Sequence, residues 1–121
     1  MHLQESAQTI KKYLSKLALV IQKESTLSFF KTKLIDKSRI DDIICCIEAS
    51  FPDEYKAVIR RTGTGGYIKT YKHWQQVLFA VRNNFKLVPT FYSVKADDAL
   101  RAIASMSTGI ESDFKRLREE L

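Results

Sequence analysis

The sequence predicts a mainly α fold, a small multi-helix bundle of five or six helices in a single domain over residues 1–121. Three observations predict it. Apolar residues recur at steps of three and four along most of the chain, which is the repeat of one helix face. Ser, Thr or Asp stands at the start of several of these stretches, where helix N-termini favour them. The chain has 121 residues, 45% hydrophobic and 28% charged, and a chain of that size can bury about two-thirds of its unfolded surface without staples.

The first element is the most regular. Leu3, Ala7, Ile10, Leu14, Leu17 and Ile21 form a heptad seam, widened by Tyr13, Val20 and Leu27. Such a seam packs one helix on another, either inside a bundle or across a homodimer through Leu3, Ile10, Leu14, Leu17 and Ile21. Ser25 or Thr26 can start a short second helix with Phe29, Phe30, Leu34 and Ile35. Ser38 and Asp41 resemble a capping box. The stripe Ile40, Ile43, Ile44, Ile47 and Phe51 follows, a clean amphipathic helix. Cys45 and Cys46 lie within it and are expected to be small core residues, because helix neighbours point about 100° apart and cannot easily pair.

Ser50, Pro52 and Asp53 predict a new helix over 51–61, with Phe51, Tyr55, Val58 and Ile59 inward and Gly63 as its terminator. Residues 62–66, Thr-Gly-Thr-Gly-Gly, then form a loop. A helix over 70–84 follows, with Tyr71, Trp74, Val77, Leu78, Val81 and Phe85 inward. The competing reading of 57–71 is a hairpin, 57–62 against 67–71 around the glycines. Residues 86–94 contain Pro89 and predict an extended connector or a lone strand. Asp97 and Asp98 suit the first turn of a helix bearing Ala99, Leu100, Ile103 and Met106. Thr108 and Glu111 suit a capping box for a last helix with Ile110, Phe114 and Leu117, and Gly109 is expected to kink or separate the two.

Charge points to the middle of the chain. Residues 1–50 carry a net +2, residues 51–95 a net +6, and residues 96–121 a net −2. A basic centre suits an acidic partner. The best site candidate is the glycine loop with its flanks: Arg60, Arg61, Gly63, Gly65, Gly66 and Lys69. Glycines let backbone N–H groups turn toward an anion, and a helix N-terminus adds partial positive charge. The loop lacks the Gly-Lys-Ser/Thr ending of a P-loop and the βαβ setting of a dinucleotide site. Lys72, His73, Gln76 and Arg82 extend the surface along the next helix.

These residues predict a non-catalytic protein-binding adaptor or regulator, in one form an inhibitor of its partner, that recognises an acidic face. The alternative is a nucleic-acid-binding module: Gln, Asn and Arg read base edges, and the two central helices have a helix-turn-helix outline. Catalysis finds little footing. The histidines are His2 and His73 only, and Glu54-Tyr55-Lys56 matches a Glu-x-Lys nuclease fragment without the upstream strand aspartate. No cofactor or metal is expected, since two adjacent cysteines cannot make a four-cysteine zinc site. No apolar run approaches the ~20 residues that span a bilayer, and Gln4, Glu5, Lys11 and Lys12 interrupt any signal-peptide core. A cytoplasmic location is the expectation, with signal-less secretion as the other route.

Overall fold

A computed structural model describes residues 2–31, 37–58, 68–83 and 92–120. Among them are five helices and no strand: α1 (His2–Lys31), α2 (Lys37–Ala49), α3 (Asp53–Lys56), α4 (Tyr71–Asn83) and α5 (Tyr92–Glu120). The predicted bundle class is the observed one. At 1.5 Å per residue, α1 and α5 are each roughly 45 Å long, and α2 and α4 roughly 20 Å.

The helices pack pairwise as α1 on α5, α1 on α2, α2 on α4 and α4 on α5. Side-chain pairs give their directions. Arg118 reaches Gln4 and Lys11 reaches Glu111, so α1 and α5 are antiparallel. Asp41 meets Arg82, and the Tyr71 hydroxyl reaches the Glu48 carbonyl, so α2 and α4 are antiparallel. Trp74 lies against Gly109, and Lys69, just ahead of α4, meets Asp113. Hence α4 is antiparallel to α5, and the four long helices alternate up and down.

The seam of α1 is consumed inside the chain. Leu3, Ile10, Leu14, Leu17 and Ile21 are all buried, facing Ile40, Ile44 and Ile47 of α2 and Ala99, Ile103, Met106, Ile110, Phe114 and Leu117 of α5 in one core. Each large aliphatic or aromatic side chain removed from water contributes on the order of 1.5–3 kcal/mol. The homodimer alternative for these residues would require opening that core.

Several boundaries differ from expectation. The helix begun by the seam continues to Lys31, so no second helix starts at Ser25 or Thr26. The helix over 51–61 contracts to the single turn of α3, with Pro52 as its N-cap and no side-chain cap. Ser50 instead donates its hydroxyl to the Cys46 carbonyl. Pro52 stands one residue ahead of the first helical position, with extended backbone at φ −75° and ψ 160°, and its carbonyl accepts the Tyr55 and Lys56 N–H groups. Cys45 and Cys46 are exposed, not core, because the buried stripe Ile40–Ile43–Ile44–Ile47 turns them outward.

The two C-terminal helices are one. α5 opens at Tyr92, ahead of Asp97 and Asp98, and absorbs part of the connector expected over 86–94. Thr108 donates to the Ala104 carbonyl, four residues back, instead of capping a new helix. Glu111 pairs with Lys11 at 2.7 Å. Gly109 does not break the helix, which runs through it; a Cβ there would lie 2.7 Å from Trp74 Cη2 and 3.0 Å from Cζ2. It is glycine to admit the indole. Of the hairpin over 57–71, residues 59–67 lie outside the described residues, and Tyr71 is helical.

Candidate functional site

The described ends of the connection from α2 to α4 pack against α5. Phe51 and Tyr55 are buried there, with Tyr55 stacked on Phe114 at 4.7 Å and Phe51 edge-on to Tyr55 and Tyr71 at 5.2 and 5.0 Å. Ile68 is buried on the other limb of the connection. Both limbs of the glycine loop therefore enter the core.

A polar cluster ties the two limbs together. The Tyr55 hydroxyl accepts a hydrogen bond from Trp74 Nε1 at 2.7 Å. Its single proton is shared between the Lys69 carbonyl and Asp113 Oδ2, the latter at 3.2 Å. Asp113 Oδ2 also accepts the Lys69 N–H at 2.9 Å. Lys69 is thus gripped by its backbone from both sides while its side chain stays at an exposed position. Burial pushes the Asp113 carboxyl above its usual range, against the pull of the Lys69 N–H, the Tyr55 hydroxyl, and the charges of Arg116 and Lys69. Burial, with the Asp113 charge beside it, also holds the Tyr55 phenol far above its ordinary value, so its proton stays in place.

Thr70 begins α4. Its hydroxyl oxygen accepts the His73 N–H at 3.2 Å, an N-cap bond to the third helical residue. His73 is half-buried, edge-on to the Trp74 ring at 4.8 Å. Burial and the neighbouring Lys69 charge lower its pKa, and Asp113 opposes them. His73 is therefore a flank of the cluster more than part of an open surface.

Two concavities open beside this cluster. One, of about 280 Å³, is lined by Lys56, Val58, Thr70, Tyr71 and Lys72. Lys56 Nζ lies 5.3 Å from the Tyr71 ring centroid, within cation–π range. The second is a cleft of about 380 Å³ between α2 and α4, lined by Ile44, Glu48, Lys72, Gln75, Gln76, Phe79 and Arg82. Three predicted residues, Lys72, Gln76 and Arg82, meet in it. Arg82 is not a free cation, since its Nε lies 2.9 Å from Asp41 Oδ1. Phe79 is 59% exposed on the cleft wall.

Arg60, Arg61, Gly63, Gly65 and Gly66 lie outside the described residues. Of the helix-turn-helix outline, α3 is a single turn among the described residues, and residues 59–67, between it and α4, lie outside them. The sequence reading passed over Asp113, the signal being an acid on the apolar stripe between Ile110 and Leu117. It also passed over Phe79, an aromatic off the inward stripe of α4.

Among the described residues no group of three or more His, Cys, Asp or Glu side chains is disposed to hold a metal, and no helix is long and apolar enough to cross a membrane. No family model, curated protein or solved structure matches the chain, and the reading of this surface rests on its own geometry.

Proposed function

We propose that the protein is a non-catalytic binding module, an adaptor or regulator, that docks on an acidic face of another protein through the basic surface at the glycine-loop stems. The observation that carries this reading is the concavity formed by Lys56, Val58, Thr70, Tyr71 and Lys72. It has two ammonium groups, one aromatic ring and no carboxylate among its lining residues. Lys69 stands beside it, with Arg60 and Arg61 in the intervening sequence. A tyrosine such as Tyr71 is the kind of aromatic anchor that dominates binding energy at protein interfaces, and the lysines around it supply charge complementary to an acidic face. The bonds at Tyr55 and Lys69 hold the described stems in place, which lowers the ordering cost of association there.

The test is the triple variant Arg60→Glu/Arg61→Glu/Lys69→Glu, compared with wild type in affinity capture from native lysate treated with nuclease. A partner that then binds directly as a purified protein is expected to be lost to the variant, because reversed charge adds repulsion. The variant's melting temperature should stay close to wild type. Retained binding by a folded variant would overturn the reading. Binding to random duplex DNA with a steep log–log salt dependence would replace the protein partner with nucleic acid.

A further inference from the structure

We infer that the α2–α4 face binds a second copy of this chain, forming a two-fold dimer in which Phe79 of each copy enters the cleft of the other. The inference shares Lys72 with the surface proposed above and otherwise rests on other residues. It begins from the distribution of charge across the cleft. The α2 wall is acidic, with Asp41 and Glu48, and the α4 wall is basic, with Lys72 and Arg82. The pairs Asp41–Arg82 and Glu48–Tyr71 set the level of each wall against the other. Asp41 is level with Arg82, and Glu48 with Tyr71 and its neighbour Lys72.

A face with acid on one side and base at the same level on the other is complementary to itself under one rotation. Turning a second copy by 180° about an axis lying in the face, parallel to the helices, places its α2 over this α4. Helix direction and level are kept. The Asp41–Arg82 pair of each copy, already closed within its own chain, then lies over the same pair in reverse order, Glu48 faces Lys72, and each contact occurs twice. A two-fold axis perpendicular to the helices would instead lay acid on acid and base on base. Charge thus selects a single arrangement.

The apolar contact agrees with that arrangement. By the same register, Phe79 is level with Ile43 and Ile44 of α2. The rotation carries the exposed ring of one copy over the partner cleft, whose lining includes Ile44. Lys72 and Glu48 form no ion pair with each other among the described residues, so both are available to the second copy. Since the axis runs parallel to the helices, both glycine-loop stems emerge at one end of the dimer. Two basic surfaces side by side would engage a repeated or dimeric partner with avidity.

The experiment is sedimentation equilibrium of the full chain from micromolar to near-millimolar concentration. Wild type is expected to approach twice the 14.0 kDa monomer mass. Lys72→Glu alone places acid against Glu48, and Glu48→Lys alone places base against Lys72, so each variant should sediment as a monomer. Mixed in equal amounts, the two restore attractive pairs at both contacts, and the dimer should return. Phe79→Ser should abolish association in every combination. All substituted positions lie on the cleft surface, and helical circular dichroism verifies the folds. A wild type that stays at 14.0 kDa throughout, single variants that still dimerise, or a mixture that stays monomeric would each overturn the inference.

Discussion

Along α1 and α5 the core is made by repetition, whereas the connection from α2 to α4 is held by rings and by one buried carboxylate of α5. The α1–α5 interface repeats aliphatic side chains over successive turns, flanked by the exposed Lys11–Glu111 pair and the Arg118–Gln4 hydrogen bond. Its contacts are non-directional, so stability there follows area and volume. The connection has one helical turn of its own and leans on Phe51, Tyr55, Ile68 and the hydrogen bonds among Tyr55, Trp74, Lys69 and Asp113. Such bonds add modest net stability but cost about 1–3 kcal/mol when one partner is left unmatched. The comparison teaches a division of labour: aliphatic repetition supplies the bulk of stability, and directional bonds hold the loop limbs in one geometry.

The strongest way to break this comparison is in the aliphatic core. Ile44→Ala and Ile47→Ala remove most of a side chain that is 1% and 0% exposed, respectively. Each should cost about 2–4 kcal/mol, the transfer loss plus the cavity left behind. The measurement is the urea midpoint at constant slope. Midpoints equal to wild type would show that α2 does not contribute to the core in this way.

The next effect sharpens the comparison at the place where the two regions touch. Alanine normally stabilises a helix interior over glycine by about 1 kcal/mol. At Gly109 the sign should reverse. The added methyl would occupy space 2.7 Å from Trp74 Cη2, and the indole cannot retreat freely, being buried and bonded through Nε1 to Tyr55. Gly109→Ala should therefore cost about 1–3 kcal/mol, the usual range for overpacking, with a change in tryptophan emission. A stabilised variant with unchanged emission would mean that the close approach is not rigid.

What was legible in the sequence follows the same division. Helix faces could be read wherever burial repeats with the helical period, as in the α1 seam, the isoleucine stripe of α2, and Trp74, Leu78 and Val81 of α4. Local signals misled where tertiary contacts outvoted them. Gly109 looked like a breaker because its neighbour Trp74 is distant in sequence. Thr108 and Glu111 looked like a cap, yet a threonine can bond back to its own helix and a glutamate can pair across it. The paired cysteines looked buried by residue type alone, although the stripe beside them had already assigned the inward positions. Of the candidate site, the exposed cations at 69 and 72 were legible from charge, while the Asp113–Tyr55 grip on Lys69 was not. It joins three segments of the chain, and no local pattern records such a meeting.

The smallest expected effect concerns that grip, and it is read as a slope against pH. Asp113 has a carboxyl raised above its usual range by burial. The folded chain therefore keeps this proton at pH values where the unfolded chain, near 3.9 for an ordinary aspartate, has begun to lose it. Where the folded state binds more protons, stability falls as pH rises. The loss begins in the ordinary carboxylate range and is complete above the raised folded value. Asp113→Asn keeps a carbonyl oxygen for the Lys69 N–H and removes the titrating proton. Unfolding free energy of the variant minus that of wild type should therefore grow with pH through this window and level off above it. His73 has the opposite sign: with its folded pKa lowered, stability rises with pH up to the ordinary imidazole range. Taking the difference between Asp113→Asn and wild type cancels that contribution to first order, provided His73 keeps its surroundings. Repeating the pair in a His73→Gln background checks this. A difference that shrinks as pH rises would mean that Lys69, Arg116 and the hydrogen bonds outweigh burial, so that the folded chain prefers the ionised carboxylate.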